Sequence, residues 1–322
     1  MKFQYYPIQF EPILKERIWG GTKLKSYLNK PIHSNITGES WEISTVENDV
    51  SIISNGVFKG KSLVELINLH PEEILGIKVY KNFGKQFPLL FKYLDAREDL
   101  SIQLHPNDAL AKTRHNSFGK TEMWYVMQAD DNARLIVGFK EKSNKEEYLK
   151  SIEDKKLLSI LDTKKVSKGD VFFLETGTIH AIGAGIVIAE IQQTSDITYR
   201  IFDFDRVDAT GNTRELHNDL ALEAINYNVV DAVKKYKKID NYVNEVINCQ
   251  HFTTNYIPLT DILKFELNKE SFKVLMCVEG SFELKLNEDV YKYKVGDTIL
   301  IPAFIGSFEI SGKASLLEIY IS

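Results

Sequence analysis

Apolar residues in this chain fall mostly in short runs with two-residue alternation, the period of extended strands. Only three stretches carry the three-to-four-residue spacing of a helix. The first opens on Ser62-Leu63-Val64-Glu65, which has capping-box spacing, and continues through Leu66, Ile67 and, past Pro71, Ile74 and Leu75. The second runs from Asn144 to Asp162, with Tyr148, Leu149, Ile152, Leu157, Leu158 and Leu161 as its apolar positions. The third runs from Asn218 to Lys235, with a cap-like Asn218-Asp219 and Leu220, Ala221, Ala224 and Ile225 at helical spacing. The rest reads as short strands rich in Val, Ile, Phe and Tyr, punctuated by Gly-Asp and Asn/Asp turns. The pattern predicts a mostly β protein with a few inserted helices.

A weak internal echo predicts a repeated β-unit. Lys168-Gly169-Asp170-Val171-Phe172-Phe173-Leu174 resembles Val295-Gly296-Asp297-Thr298-Ile299-Leu300-Ile301, each a Gly-Asp turn entering an apolar strand. Between the two copies, Lys234-Lys235-Tyr236-Lys237-Lys238 reads as a polar linker or a solvated helix end. A boundary at 237/238 leaves a C-terminal unit of about 85 residues, enough for a compact sandwich. Aligning the turns sets Glu175 opposite Pro302 and His180 opposite Ser307, and no histidine follows His251. The C-terminal unit, 238–322, is therefore expected to be metal-free.

Composition narrows the function classes. With 322 residues, 43% hydrophobic and 26% charged, the chain is neither disordered nor fibrous. A net charge of −5 argues against a nucleic-acid binder while allowing one local phosphate pocket. Two cysteines, Cys249 and Cys277, lie far from any C-x-x-C spacing, which fits a reducing compartment. The N-terminus has no apolar signal core, and no apolar run approaches the roughly 18 residues of a membrane span. A cytoplasmic protein without membrane contacts is expected, as a monomer or weak homo-oligomer.

Candidate chemistry begins with Leu100-Ser101-Ile102-Gln103-Leu104-His105-Pro106. In a strand ended by Pro106, Ser101, Gln103 and His105 share one face. Taken alone, that face is more simply a solvated one. Glu122 opens the apolar strand Met123-Trp124-Tyr125-Val126, and His180 sits in a Gly-bounded turn after another apolar strand. Gln103, His105, Glu122 and His180 together offer nitrogen and oxygen donors without a thiolate, a set suited to Zn²⁺ or another borderline metal. Arg200 sits among apolar neighbours and is read as entering a cavity, against the alternative of an ion pair with Asp196 or Asp203.

These segments, with Arg17-Ile18-Trp19-Gly20-Gly21, Gly38-Glu39-Ser40-Trp41-Glu42, Pro88-Leu89-Leu90-Phe91-Lys92, Lys120-Thr121-Glu122-Met123-Trp124 and Gly177-Thr178-Ile179-His180-Ala181, resemble the type I mannose-6-phosphate isomerases in their short bacterial form. The match runs in order from about residue 10 to residue 206. It implies a mostly β fold of two cupin (jelly-roll) β-sandwich units: a catalytic metal-binding unit, 1–237, with helical insertions, and the C-terminal unit. It implies one Zn²⁺ per chain on Gln103, His105, Glu122 and His180, and an essential arginine at Arg200. Lys120 and Ser101 fall on positions attributed to substrate or phosphate, and Lys92, Glu190 and Trp19 on pocket positions. Long-form members carry Tyr two residues after the last histidine ligand, where this chain has Ile182.

The reaction so implied interconverts mannose 6-phosphate and fructose 6-phosphate through an enediol(ate). Arg200 would stabilise the oxyanion, and Lys120 would hold phosphate or move a proton. Glu190 would act as base, its pKa raised by burial. Two other readings compete: a cupin metal-dependent oxygenase, against which Gln103 stands where a histidine is expected, and a non-catalytic sugar-phosphate-binding cupin.

Overall fold

The computed structural model describes residues 5–207 and 211–322. Strands dominate, in three large antiparallel sheets. The first has seven strands in the order Ile13–Gly21, Thr37–Ile43, Leu89–Ala96, Ile186–Gln193, Glu122–Ala129, Val171–Leu174 and Val233–Lys234. The second has five: Tyr199–Phe202, Ile102–Leu104, His180–Ile182, Arg134–Phe139 and Leu161–Lys165. They face each other across a core of Trp124, Val126, Leu135, Val137, Leu174, Ile186 and Ile188.

The third sheet comprises Asn244–Asn248, Thr253–Leu259, Ser307–Tyr320, Lys273–Leu286 and Asp289–Lys294, with Ile262–Glu266 and Thr298–Ile301 paired off the main path. It curls around its own core of Leu275, Cys277, Phe282, Leu284, Leu316 and their neighbours. Its opposite face, with Val274, Met276, Leu317 and Ile319, packs on the outer face of the first sheet, with Met123, Tyr125, Ala189 and Ile191. Leu89–Ala96 and Ile186–Gln193 are therefore covered on both sides and buried at every residue. Ile8 crosses over to pair with Leu300, exchanging backbone bonds of 2.8 and 2.9 Å.

The two Gly-Asp turns have the same hydrogen bonding. Gly169 (φ +89°) donates to the Val126 carbonyl and the Val126 N–H donates to Asp170 O. Gly296 (φ +91°) and Cys277 exchange the same pair of bonds with Asp297. Asp170 Oδ2 and Asp297 Oδ2 each accept a backbone N–H three residues earlier, at 2.8 Å. Both glycines occupy the left-handed region that such a turn demands.

The helices follow the sequence less closely. Leu63–Leu69 begins on the expected capping box, Ser62 Oγ accepting from Glu65 N and Glu65 Oε2 from Ser62 N. Pro71 then starts Pro71–Leu75 at its first turn. The expected helix Asn144–Asp162 is two pieces, Lys145–Glu153 and Leu157–Ile160, divided at Lys155 with φ +55°. Leu161–Lys165 is a strand paired with Arg134–Phe139. The expected helix Asn218–Lys235 survives only at Asn218–Ala221. Beyond it the chain drapes over two glycine turns: Asn226 N donates to Gly177 O, and Val230 lies against Gly138. It ends as the edge strand Val233–Lys234, with Val233 and Lys234 opposite Phe172 and Val171. Sheet pairing at Val233–Lys234 and the packing of Val230 against Gly138 override the local helical spacing. Among the described residues, no helix is long and apolar enough to cross a membrane.

Candidate active site

Two rungs of side chains face one cavity. In the first sheet, backbone register lines up Trp41, Lys92, Glu190 and Trp124 across four neighbouring strands. In the second sheet, it lines up Arg200, Gln103 and His180. All seven line a cavity of about 520 Å³, together with Trp19, Ser101 and Lys120. That volume suits a small phosphorylated metabolite. Ile182 forms part of the apolar wall.

Behind His180 the cavity is backed by His105 and Glu122, each no more than 2% exposed. Ligand atoms of His105, Glu122 and His180 lie within 4.8 Å of one another. His180 Nε2 stands 3.3 Å from Glu122 Oε1, His105 Nε2 stands 3.5 Å from Glu122 Oε2, and the Gln103 amide comes within 3.5 Å of His180 Nε2. Both imidazoles are oriented from behind: Nδ1 of His105 donates to Ile197 O at 2.8 Å and Nδ1 of His180 to Thr178 O at 2.9 Å. That tautomer leaves each Nε2 with a bare lone pair aimed at the cluster.

His105 Nε2 and both Glu122 oxygens are buried with no hydrogen-bond partner. Orphaned acceptors of this kind are costly unless something satisfies them. Burial, with Lys120 and His180 nearby, holds His105 well below the usual imidazole range. Burial takes His180 down to about 4, so both rings are neutral at pH 7. Burial and the Glu190 charge raise the Glu122 carboxyl. A divalent cation would displace that proton and satisfy all three orphans at once, so the donor set fits a metal.

The Glu190 pKa differs from the sequence expectation. Burial does push its carboxyl upward, but Lys92 and Lys120 outweigh it and hold the group below the ordinary value. Lys92 Nζ lies 3.1 Å from Glu190 Oε1 and 4.9 Å from the Trp41 ring centroid. The Trp124 indole donates to Glu190 Oε2 at 2.8 Å. Beyond Lys92, Glu39 accepts from Trp41 Nε1 at 2.6 Å and Arg17 Nε at 2.8 Å. The Lys92 and Arg17 charges, with the Arg17 and Trp41 hydrogen bonds, together overcome its burial and hold its carboxyl at about 2.

Arg200 is half-buried. Its Nε donates to Ser101 Oγ at 3.3 Å and its Nη1 to Glu215 O at 2.9 Å. Among the described residues no salt bridge joins Arg200 to Asp196 or Asp203, and Asp203 pairs with Arg206 and Arg214. Burial and the neighbouring Arg214 charge lower the Arg200 pKa. Lys120 Nζ lies 3.5 Å from Glu122 Oε2. The sequence alone points to no role for Arg17, Glu39, Trp41, Trp124 or Arg214. Their only advance signal was that Arg17, Glu39, Trp41 and Trp124 belong to the segments quoted for the resemblance.

An antiparallel double-sheet sandwich that turns a histidine and carboxylate cluster inward, beside fixed lysine and arginine side chains, defines a metal-dependent enzyme of the cupin class. Residues 8–134 match the family model "Phosphomannose isomerase type I, catalytic domain", and residues 242–321 match "Mannose-6-phosphate isomerase, cupin domain". The chain is 38% identical to mannose-6-phosphate isomerase ManA of Bacillus subtilis, over 97% of this chain and 98% of that protein. It is 34% identical to the mannose-6-phosphate isomerase of Streptococcus mutans, over 97% of each. The crystal structure of the Bacillus subtilis mannose 6-phosphate isomerase superposes with a TM-score of 0.90 at 34% identity, covering 98% of this chain and 99% of that one. The chain belongs to the type I mannose-6-phosphate isomerase family.

Proposed function

We infer that this chain is a metal-dependent aldose–ketose isomerase that interconverts mannose 6-phosphate and fructose 6-phosphate. The observation that carries the reading is the convergence of His105 Nε2, His180 Nε2 and the unpartnered Glu122 oxygens at the back of a cavity lined by Lys92, Lys120, Glu190 and Arg200. We assign Gln103, His105, Glu122 and His180 as ligands of one Zn²⁺. Neutral imidazole with oxygen donors suits this redox-silent ion. When bound, it supplies Lewis acidity to the sugar oxygens.

The chain's own residues do the rest. Glu190 enters ionised and takes the C2 proton. With its proton affinity held low by Lys92 and Lys120, it releases that proton readily to C1. Arg200 faces the negative charge that develops on oxygen in the enediolate, with Ser101 aligning its guanidinium. Lys120 binds the phosphorylated sugar, and Trp19 and Lys92 complete the pocket wall. The oxygenase reading is disfavoured by the Gln103 amide at a ligand position.

We also place the boundary between a catalytic unit and a metal-free C-terminal unit at 237/238. It is supported by the interval between the last strand of the first sheet, Val233–Lys234, and the first strand of the third, Asn244–Asn248. A cytoplasmic, monomeric or weakly homo-oligomeric protein completes the reading, in keeping with two free cysteines. The test is conversion of mannose 6-phosphate to fructose 6-phosphate before and after chelation, followed by reconstitution with defined metals. Zinc restoring turnover without oxygen uptake is the expected result. Undiminished turnover in the metal-free protein, or restoration by Fe(II) alone with oxygen consumed, would contradict it.

A further inference from the structure

We propose that Trp124 is a positioning residue for the isomerisation, its indole N–H fixing the carboxylate of Glu190. This rests on the reading of Glu190 as the proton carrier. Trp124 is 1% exposed and neighbours Glu190 on the same rung of the first sheet. Its Nε1 donates to Glu190 Oε2 at 2.8 Å, while Lys92 engages Oε1 at 3.1 Å, so each carboxylate oxygen is held by a different strand. Its ring also meets His180 edge-on, with centroids 5.3 Å apart at 85°, so one side chain borders both the proton carrier and a metal ligand.

The chemistry of the indole explains why it suits this place. Glu190 and Glu122 face the same interior one rung apart, since Gln192 lies opposite Glu122 and Glu190 opposite Trp124. An untethered carboxylate there would be drawn toward a divalent cation and become a further ligand instead of a proton carrier. Lys92 alone leaves Oε2 free to swing. An indole offers a single donor, carries no charge and has no lone pair for a metal, so it can fix Oε2 without itself becoming a ligand.

The test uses full-length holoenzyme. In Trp124→Phe the ring edge stays and the donor is lost. kcat is expected to fall about tenfold or more, with KM within about twofold and metal content unchanged. In Trp124→His, Nε2 takes the ring position of indole Nε1, so a large part of the lost kcat returns. Near-normal kcat in Trp124→Phe would overturn the proposal. So would equal losses in the Phe and His variants at unchanged metal content, which would mean that packing alone matters, or a kcat loss that tracks lost metal. If Trp124→Phe fails to fold, replacing Trp124 with benzothienylalanine, which keeps the bicyclic shape and exchanges N–H for sulfur, gives the same readout. Failure of the underlying reading shows separately, as Glu190→Gln retaining full kcat.

Discussion

The same inward carboxylate occurs in both barrels with opposite consequences. The shared turn bonding makes Val126 and Cys277 counterparts, and the registers then pair Trp124 with Leu275, Glu190 with Glu318, Lys92 with Asn255 and Glu122 with Lys273. In the first barrel Glu190 faces an open cavity and Glu122 lies buried with no hydrogen bond to either oxygen, the Lys120 ammonium standing 3.5 Å from Oε2. In the second, Glu318 is 1% exposed and fully engaged, accepting from Asn255 Nδ2 at 2.8 Å and pairing with Lys273. His180 lies opposite Gln103, whereas its counterpart Ser307 lies opposite Glu266. An ammonium on the chain itself, that of Lys273, stands at the strand position that Glu122 occupies in the first barrel. One sandwich thus keeps buried acceptors that no hydrogen bond satisfies, and the other pairs its carboxylate internally and packs the remainder with apolar side chains.

The largest effect that separates the barrels is expected from His180→Ala, which should abolish both bound metal and turnover with the fold retained. Ser307→Ala, at the corresponding place, should change neither; metal analysis alongside the isomerase assay checks the pair. Arg200→Ala comes next: kcat should fall about a hundredfold or more at unchanged metal content, the pattern of lost transition-state stabilisation. Unfolding or metal loss in that variant would return Arg200 to a structural role. In the second barrel the expected damage is to stability alone. Lys273→Met leaves Glu318 buried without its cation and should cost about 3 kcal/mol in denaturant unfolding, with metal stoichiometry unaltered.

The smallest effect is a pH dependence. Glu39 sits at about 2 in the folded protein against an ordinary 4.5. Its contribution is therefore fully present above pH 4.5 and is lost as pH falls toward 2. The shift corresponds to about 3 kcal/mol at most. Glu39→Gln should flatten the acid limb of the stability–pH curve over that window while leaving a lower plateau at neutral pH. An unchanged slope would mean that Arg17 and Lys92 do not stabilise this carboxylate.

How much of this was legible beforehand depended on whether the information was local. Alternation around Gln103 and His105, Pro106 as a stop, and the apolar strand opened by Glu122 all lie within a few residues, as does the capping box at Ser62. The rung Trp41–Lys92–Glu190–Trp124 is not local, because it exists only through the register of strands far apart in sequence. That is why burial alone predicted a raised pKa for Glu190, when Lys92 and Lys120, contributed by other segments, reverse it. The stretch after Ala221 departs from its local helical spacing for the same reason: its path is set by Gly138 and Gly177 and by the sheet edge at Val171–Leu174. The echo of the two Gly-Asp turns was legible because the turn itself requires glycine at positive φ, whereas the Lys273–Glu318 pair needed the register to be seen.

A single barrel is expected to hold the metal on which the isomerisation depends. The most direct test is metal content per chain, measured together with mannose 6-phosphate isomerase activity, in the wild type and in Glu122→Ala. The account predicts about one equivalent in the wild type, and loss of both metal and activity in the variant. A second tightly bound equivalent that survives in Glu122→Ala, or activity that persists there without metal, would contradict it.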